Sequence, residues 1–200
     1  MKQPLGIILA GGLATRMGGG DKALLDIGGQ SLLAHVIERL TPQVAAMALN
    51  ANGEAARFGA YGLPVLPDSI AGYAGPLAGV LAGLDWAADQ GADTVVSVAG
   101  DTPFFPCDLV PRLQLTAEGM EHPLALACTP DGRQPTFGLW PVALRDDLRS
   151  ALQNGLRKVV MWTDQHGGRQ AMFDARGNPF FNVNTPRDLA QARHMYEAMT

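Results

Sequence analysis

Gly6-Ile7-Ile8-Leu9-Ala10, followed by Gly11-Gly12-Leu13-Ala14-Thr15-Arg16-Met17-Gly18-Gly19-Gly20-Asp21-Lys22, decides how this chain is read. The first five residues form a short apolar run and read as a buried strand. The loop from Gly11 to Lys22 carries five glycines and two cations. Glycines let successive N–H groups turn inward and form an anion-binding concavity. Arg16 can grip a phosphate through two parallel hydrogen bonds, while Lys22 acts as a point charge. A plain turn would call for the glycines but not for the cations. Two common phosphate motifs do not fit. A P-loop has Gly before its Lys and Ser or Thr after it, whereas Asp21 and Ala23 flank Lys22. Gly18, Gly20 and Ala23 match G-x-G-x-x-G/A by letter, but they begin well past the strand end, without the tight strand-turn-helix geometry.

Outward from this stretch, strand-like and helix-like segments alternate. Ser31 reads as the N-cap of a helix with Leu32, Leu33, Val36, Ile37 and Leu40 on one face, ended by Pro42. Residues 44–49 read as a strand closing on Asn50, 54–60 as a short helix, and 64–66 as a strand followed by Asp68. Pro76 opens a helix over 77–89. Residues 93–99 form a strong buried strand ending at Gly100-Asp101, and a helix spans about 106–115. Later strands are expected at 124–129, 136–140, 171–173 and 180–182, with a Pro130-Asp131-Gly132 turn. Helices are expected at 143–153, 157–164 and from Thr185-Pro186 onward. The alternation implies an α/β fold with a mostly parallel central sheet and helices on both faces. Ligands bind such sheets beyond the carboxyl ends of the strands. The glycine-rich loop, Asn50, Asp68 and Asp101 all fall there. Without a repeat or linker, residues 1–200 read as one domain, with a nucleotide-binding half over about 1–120 and an acceptor-side half over about 121–200.

The bulk properties narrow the class. The 200 residues are 47% hydrophobic and 17% charged, an ordinary globular balance. A net charge of −4 argues against a broad nucleic-acid footprint. It leaves room for a small anionic ligand held by a local cluster of N–H groups and cations. Cys107 and Cys128 are far apart and the four histidines are scattered, so no zinc-type spacing exists and nothing requires an oxidising compartment. Leu5 to Ala10 is too short for a signal core. No stretch nears the roughly 20 apolar residues of a membrane span, so the expected setting is cytoplasmic, without membrane contact.

Leu9-Ala10-Gly11-Gly12, Arg16-Met17-Gly18 and Asp21-Lys22 together resemble the signature loop of the nucleotidyltransferases that activate sugars, pterins and related phosphates. Three later blocks follow in the same order: Gly75-Pro76-Leu77-Ala78-Gly79, Gly100-Asp101-Thr102-Pro103 and Asn182-Val183-Asn184-Thr185-Pro186. With them the chain resembles, over nearly its whole length, the molybdenum cofactor guanylyltransferases. The resemblance implies a three-layer Rossmann-like nucleotidyltransferase fold. It also implies transfer of GMP from GTP to the terminal phosphate of molybdopterin or Mo-molybdopterin, with Mg²⁺ as cofactor and pyrophosphate released. Transient contacts with other molybdenum cofactor proteins go with that activity.

Matched residue by residue, the resemblance assigns Leu9, Ala10, Gly11, Gly12, Lys22, Asn50, Asp68 and Asp101 to the nucleotide or its metal, with Asp101 as the Mg²⁺ ligand. Arg16 and Lys22 are assigned to the triphosphate, and Arg16, Lys22 and Asp101 form the expected catalytic set. Asn182 and Asn184, on one side of an extended segment, are assigned to the metal or the pterin phosphate. By spacing alone, Asp101 could instead form a helix N-cap or Asx turn before Pro106, Asn50 and Asp68 could equally be turn residues, and Asn184 could cap the last helix. Arg133, Gln134, Thr136, Arg157 and Lys158 are weaker candidates for the pterin side, and His35 reads as structural. Three rivals remain. A cytidylyltransferase on the same pterin usually carries Ala at Gly11 and Asp at Asn184. A sugar-phosphate nucleotidyltransferase often adds a longer C-terminal region. A binding module would lack catalysis, but Arg16, Lys22 and Asp101 are all present.

Overall fold

The structure, a computed structural model, describes residues 2–11, 21–70, 72 and 75–199. Strand β1 (Leu5–Leu9) lies inside a seven-stranded sheet. A small antiparallel hairpin, β2 (Asp26–Ile27) and β3 (Gln30–Ser31), leads into helix α1 (Leu32–Leu40). Ser31 caps α1, its hydroxyl accepting from Ala34 N at 3.0 Å. Then come β4 (Met47–Asn50), a 3₁₀ segment (Ala55–Tyr61), β5 (Val65–Leu66), α2 (Pro76–Asp89) and β6 (Thr94–Ala99). The second half comprises α3 (Leu109–Thr116), β7 (Ala125–Thr129), β8 (Gly132–Pro141), α4 (Arg145–Gln153), α5 (Val159–Gln165), β9 (Arg169–Met172) and α6 (Pro186–Glu197).

The strand order is β5-β4-β1-β6-β8-β7-β9. β1 pairs in parallel with β4 and β6, so that Leu9 lies opposite Asn50 on one side and Ala99 on the other. β8 alone runs against its neighbours β6 and β7, while β9 is again parallel to β7. This is the mostly parallel sheet expected.

Alternating side chains bury both faces. Ile8, Val96 and Val98 pack with Leu33, Val36 and Leu40 of α1 and Leu109 and Leu113 of α3. Ile7 and Val95 pack on the other face with Leu77, Val80, Leu81 and Leu84 of α2, Leu148 and Leu152 of α4, and Trp162 of α5. The result is the three-layer arrangement, each fully buried aliphatic side chain contributing about 1.5–3 kcal/mol. A third cluster of Ile27, Leu32, Phe104, Val183 and Ala192 holds α6 and the small hairpin against the main body.

Two features of α2 are unusual. A glycine inside a helix costs roughly 1 kcal/mol relative to alanine, yet Gly79 and Gly83 lie one turn apart in it. A Cβ on Gly83 would come within 2.9 Å of Ile7, and one on Gly79 would collide with Asn50 Oδ1 and Leu9 Cδ2. Both glycines let α2 sit directly on β1 and β4.

Two expectations need correction. No strand forms at 180–182: Phe180 packs edge-on against Phe137 and Phe173, with centroids 4.9 and 5.5 Å away, and Val183 plugs the third cluster. Those apolar residues serve packing rather than a ladder. The segment expected to be helical from about 106 turns first through Pro106 O and Leu109 N, at 3.1 Å, before α3 begins. The short helix expected at 54–60 is present, wound as a 3₁₀ helix over Ala55–Tyr61. Among the described residues no helix is long and apolar enough to cross a membrane.

Candidate active site

The chain passes from β1 outward to β4 and β5, then returns to place β6 on the other side of β1. The order therefore reverses between β1 and β6, and the crevice beyond their carboxyl ends is where an open α/β sheet accepts a ligand. Three segments meet at that point. Gly100 N donates to Leu9 O at 3.0 Å, joining the ends of β1 and β6. Val183 N donates to Asp101 O at 3.0 Å and brings the Asn182-Val183-Asn184 segment alongside. Lys22, from the short turn after the glycine-rich loop, reaches both: its Nζ donates to Asn184 Oδ1 at 2.6 Å and lies 4.0 Å from Asp101 Oδ2.

The Lys22 and Asp101 side chains are only 19% and 21% exposed. Burial holds the Asp101 carboxyl above the ordinary carboxylate range, and the Lys22 ammonium opposes that rise. Asp101 does not cap α3, whose N-cap position is Asp108. The cap of α6 likewise falls to Thr185, which forms a reciprocal capping box with Asp188 and leaves the Asn184 side chain to Lys22. Asn182 is exposed, flanking the buried Val183.

On the other side of β1, Asn50 is buried and uses both amide hydrogens, donating to Leu66 O at 3.2 Å and Asp68 Oδ1 at 3.0 Å. Its Oδ1 is turned toward Gly11 and α2. Asp68 is held from a second direction by Asn52: Asn52 Nδ2 donates to Asp68 Oδ2, and Asp68 N donates to Asn52 Oδ1, both at 2.9 Å. Ala10 N donates to Asn50 O at 2.9 Å, so the backbone of β1 and β4 stays joined up to Gly11. Gly11 is exposed, and a Cβ there would meet Asn50 and Ala51 at 3.8–3.9 Å, ordinary contact distances.

Leu9, Ala10, Gly11, Asn50 and Asp68 thus form one group, and Lys22, Asp101 and Asn184 another, on either side of the end of β1. Gly12 and Arg16 lie outside the described residues. Among the weaker candidates, Arg133 pairs with Asp164 at 2.6 Å, and the Thr136 carbonyl accepts from Ser97 Oγ at 2.9 Å. His35 contacts Ile27 O at 2.9 Å and the Tyr196 ring, a structural role. Sequence reasoning passed over Asn52, and it used Gly79 only as part of the Gly75–Gly79 block, without its contact to Asn50. The alternation Asn50-Ala51-Asn52 at a strand end and the helix-interior glycine were the available signals.

The model of the MobA-like NTP transferase domain matches residues 6–168. The chain is 51% identical to the molybdenum cofactor guanylyltransferase of Bradyrhizobium sp. (strain ORS 278), covering 95% of this chain and 92% of that one. It is 47% identical to that of Mesorhizobium japonicum, over 98% and 97% of the two chains. The chain belongs to the molybdenum cofactor guanylyltransferase family. The fold of this family member is also that of the solved molybdopterin-guanine dinucleotide biosynthesis protein A from Archaeoglobus fulgidus. Their TM-score is 0.75 at 22% identity, over 98% of this chain and 100% of the other.

Proposed function

We propose that the chain transfers GMP from GTP to the terminal phosphate of molybdopterin, in bare or metal-loaded form, releasing pyrophosphate. The observation that carries this reading is the meeting of Lys22, Asp101 and Asn184 at the topological switch point, in a chain of this family. A phosphate oxygen of the acceptor attacks the α-phosphorus of GTP. A new P–O bond forms, the bond to the bridging oxygen of the β-phosphate breaks, and pyrophosphate leaves with the electron pair. An anion here attacks a polyanion, and two unit charges about 4 Å apart repel by roughly 4 kcal/mol at an effective dielectric near 20. Fixed positive charge and N–H dipoles at the phosphates are the remedy, and a general base has little to do.

In this reading Lys22 and Arg16 hold the triphosphate, together with the backbone of Leu9, Ala10, Gly11 and Gly12. Asn50 Oδ1 and the free lone pairs of Asp68 accept from the N–H groups of the guanine edge or the hydroxyls of the ribose. Asn182 and Asn184 face the metal or the pterin phosphate. The donor set suits magnesium, which takes one or two carboxylates and completes its shell with phosphate oxygens and water. Asp101 offers one mostly buried carboxylate whose ionised form gains from a nearby cation, and no cluster of three or more acidic, His or Cys side chains stands among the described residues. Bound there, Mg²⁺ would neutralise charge on the phosphate oxygens. One domain, with the acceptor half in residues from about 121 onward, and a cytoplasmic setting among other molybdenum cofactor proteins complete the reading.

The test is pyrophosphate release and dinucleotide formation by the purified chain from GTP and molybdopterin, with and without Mg²⁺, and with CTP in place of GTP. Mg²⁺-dependent product from GTP supports the reading. Product formed equally well from CTP would move the chain to the cytidine-using rival, and no product from either would leave a binding module.

A further inference from the structure

We propose that Arg57 is a positioning residue that ties the loop holding the base-recognising side chains to the turn that carries Lys22, so that both arms of the site meet one nucleotide in register. This rests on the nucleotide-site reading above and goes beyond it, since Arg57 itself touches no proposed ligand group.

Arg57 stands in the 3₁₀ segment after β4, its guanidinium centred 4.6 Å from the ring of the buried Phe58. Its Nη2 donates to Asn52 O at 2.7 Å and its Nη1 to Glu54 O at 2.6 Å. One arginine fork therefore fixes the backbone of the very loop whose Asn52 side chain clamps Asp68 by two hydrogen bonds. The third edge of the fork crosses to a distant part of the chain: Nε lies 2.7 Å from Asp21 Oδ2, with both side chains about three-quarters or more buried. The Nε–H is not aligned on that oxygen, so the contact is ionic, and it holds charge to charge at low exposure. Asp21 is the residue before Lys22, and its carbonyl accepts from Leu24 N at 3.1 Å, closing the turn from which Lys22 projects.

The chain of contacts thus runs from Lys22 and Asp21 through Arg57 to Asn52, Asp68 and Asn50. A planar guanidinium can hold two carbonyls by hydrogen bonds and keep its charge beside a carboxylate at once. A lysine, a single point charge, cannot. A ligand that spans both arms gains from their preset alignment, whereas a ligand filling one arm does not.

The test uses the full chain and three probes: GTP, guanosine and inorganic pyrophosphate, measured by calorimetry on wild type, Arg57→Lys, Asp21→Asn and the double variant. Asp21→Asn leaves the stacking on Phe58 intact and keeps the test open if Arg57→Lys folds poorly, as judged by thermal melting. Each single variant is expected to weaken GTP about tenfold, the effect of losing one charged contact. The double variant should be no weaker than the weaker single one, because both act through the same pair. In Asp21→Asn, which cuts the link and leaves the loop contacts of Arg57 in place, guanosine and pyrophosphate should bind as to wild type, and in turnover KM for GTP should rise while kcat holds. GTP binding unchanged in both single variants overturns the proposal, as does an equal loss for either fragment in Asp21→Asn, which would make the pair the support of one arm only. A wild-type chain that binds no GTP overturns the nucleotide-site reading, and the latch with it.

Discussion

At Asp101 two demands conflict. In the proposed function its carboxylate holds a cation, and burial disfavours the ionised form. A carboxyl whose pKa is higher folded than unfolded binds its proton more tightly in the fold. Ionising it therefore costs stability, and that cost accrues as pH rises from the ordinary carboxylate range through the raised value. Asp101→Asn is thus expected to melt higher than wild type at neutral pH without divalent cations, with the gain vanishing in acid below the ordinary carboxylate range. Its turnover should fall about 10²- to 10³-fold, as when one preorganised charge-stabilising group is removed. Melting curves across pH, paired with initial rates, check both halves; a wild-type rate with Mg²⁺ would remove Asp101 from the site. Gly11 makes a different prediction. The fold has room for a Cβ there, at 3.8–3.9 Å from Asn50 and Ala51, so Gly11→Ala should fold normally. Any effect must then come from the ligand side. A methyl group crowding a bicyclic base should erode the GTP-to-CTP ratio of kcat/KM by about 10- to 100-fold, the scale of one methylene in a pocket. An unchanged ratio would leave base choice to Asn50 and Asp68.

Among the elements, α2 shows what the sequence made legible and what it did not. Its start at Pro76 and its length follow from local rules. Its closeness to the sheet does not, because a helix-interior glycine marks a close approach without naming the partner. The partner at Gly79 is Asn50, one of the residues proposed to meet the nucleotide. Gly79→Ala should therefore do two things at once. Overpacking should lower stability by about 1–3 kcal/mol, and displacing Asn50 should raise KM for GTP. Gly83→Ala, which presses on Ile7 in the core instead, should destabilise with little change in KM. Denaturant melts and KM values for the two variants distinguish the roles, and an unaltered KM in Gly79→Ala would separate Asn50 from binding. Strands were legible by apolar runs, their direction only in part. The Pro130-Asp131-Gly132 turn is too short for a crossover and announces that β8 runs against β7, but nothing in residues 132–141 announces that it also runs against β6. At 180–182 the apolar residues that suggested a strand fill an aromatic cluster and lead to a plug. Local pattern records that a side chain is to be buried, and tertiary packing decides against what.

For the whole molecule, the site is assembled from parts that the chain order keeps far apart. The edge where β1, β4 and β6 end was readable from the alternation of elements, and so was the presence of Asn50, Asp68 and Asp101 along it. The pairing of Lys22 with Asn184 was not, because it depends on how the last segment folds back. That return is held by Val183 N on Asp101 O and by α6, whose Ala192 is fully buried with Val183, Ile27, Leu32 and Phe104. The third cluster is separate from the two main cores, so α6 is expected to open more readily than the sheet. Ala192→Asp places an unpaired carboxylate in that cluster, an arrangement costly enough to expel the helix. The expected outcome is loss of hydrogen-exchange protection in α6, with β1, β4 and β6 still protected. Because Asn184 then leaves Lys22, kcat/KM should fall at least tenfold, about what one charged hydrogen bond is worth. It should match Asn184→Ala, which removes the same contact directly. Gln191→Asp, exposed on the same helix, should behave as wild type in both measurements. Full activity in Ala192→Asp with α6 detached would mean that the C-terminal segment only shields the site, and that Lys22 and Asp101 work without it.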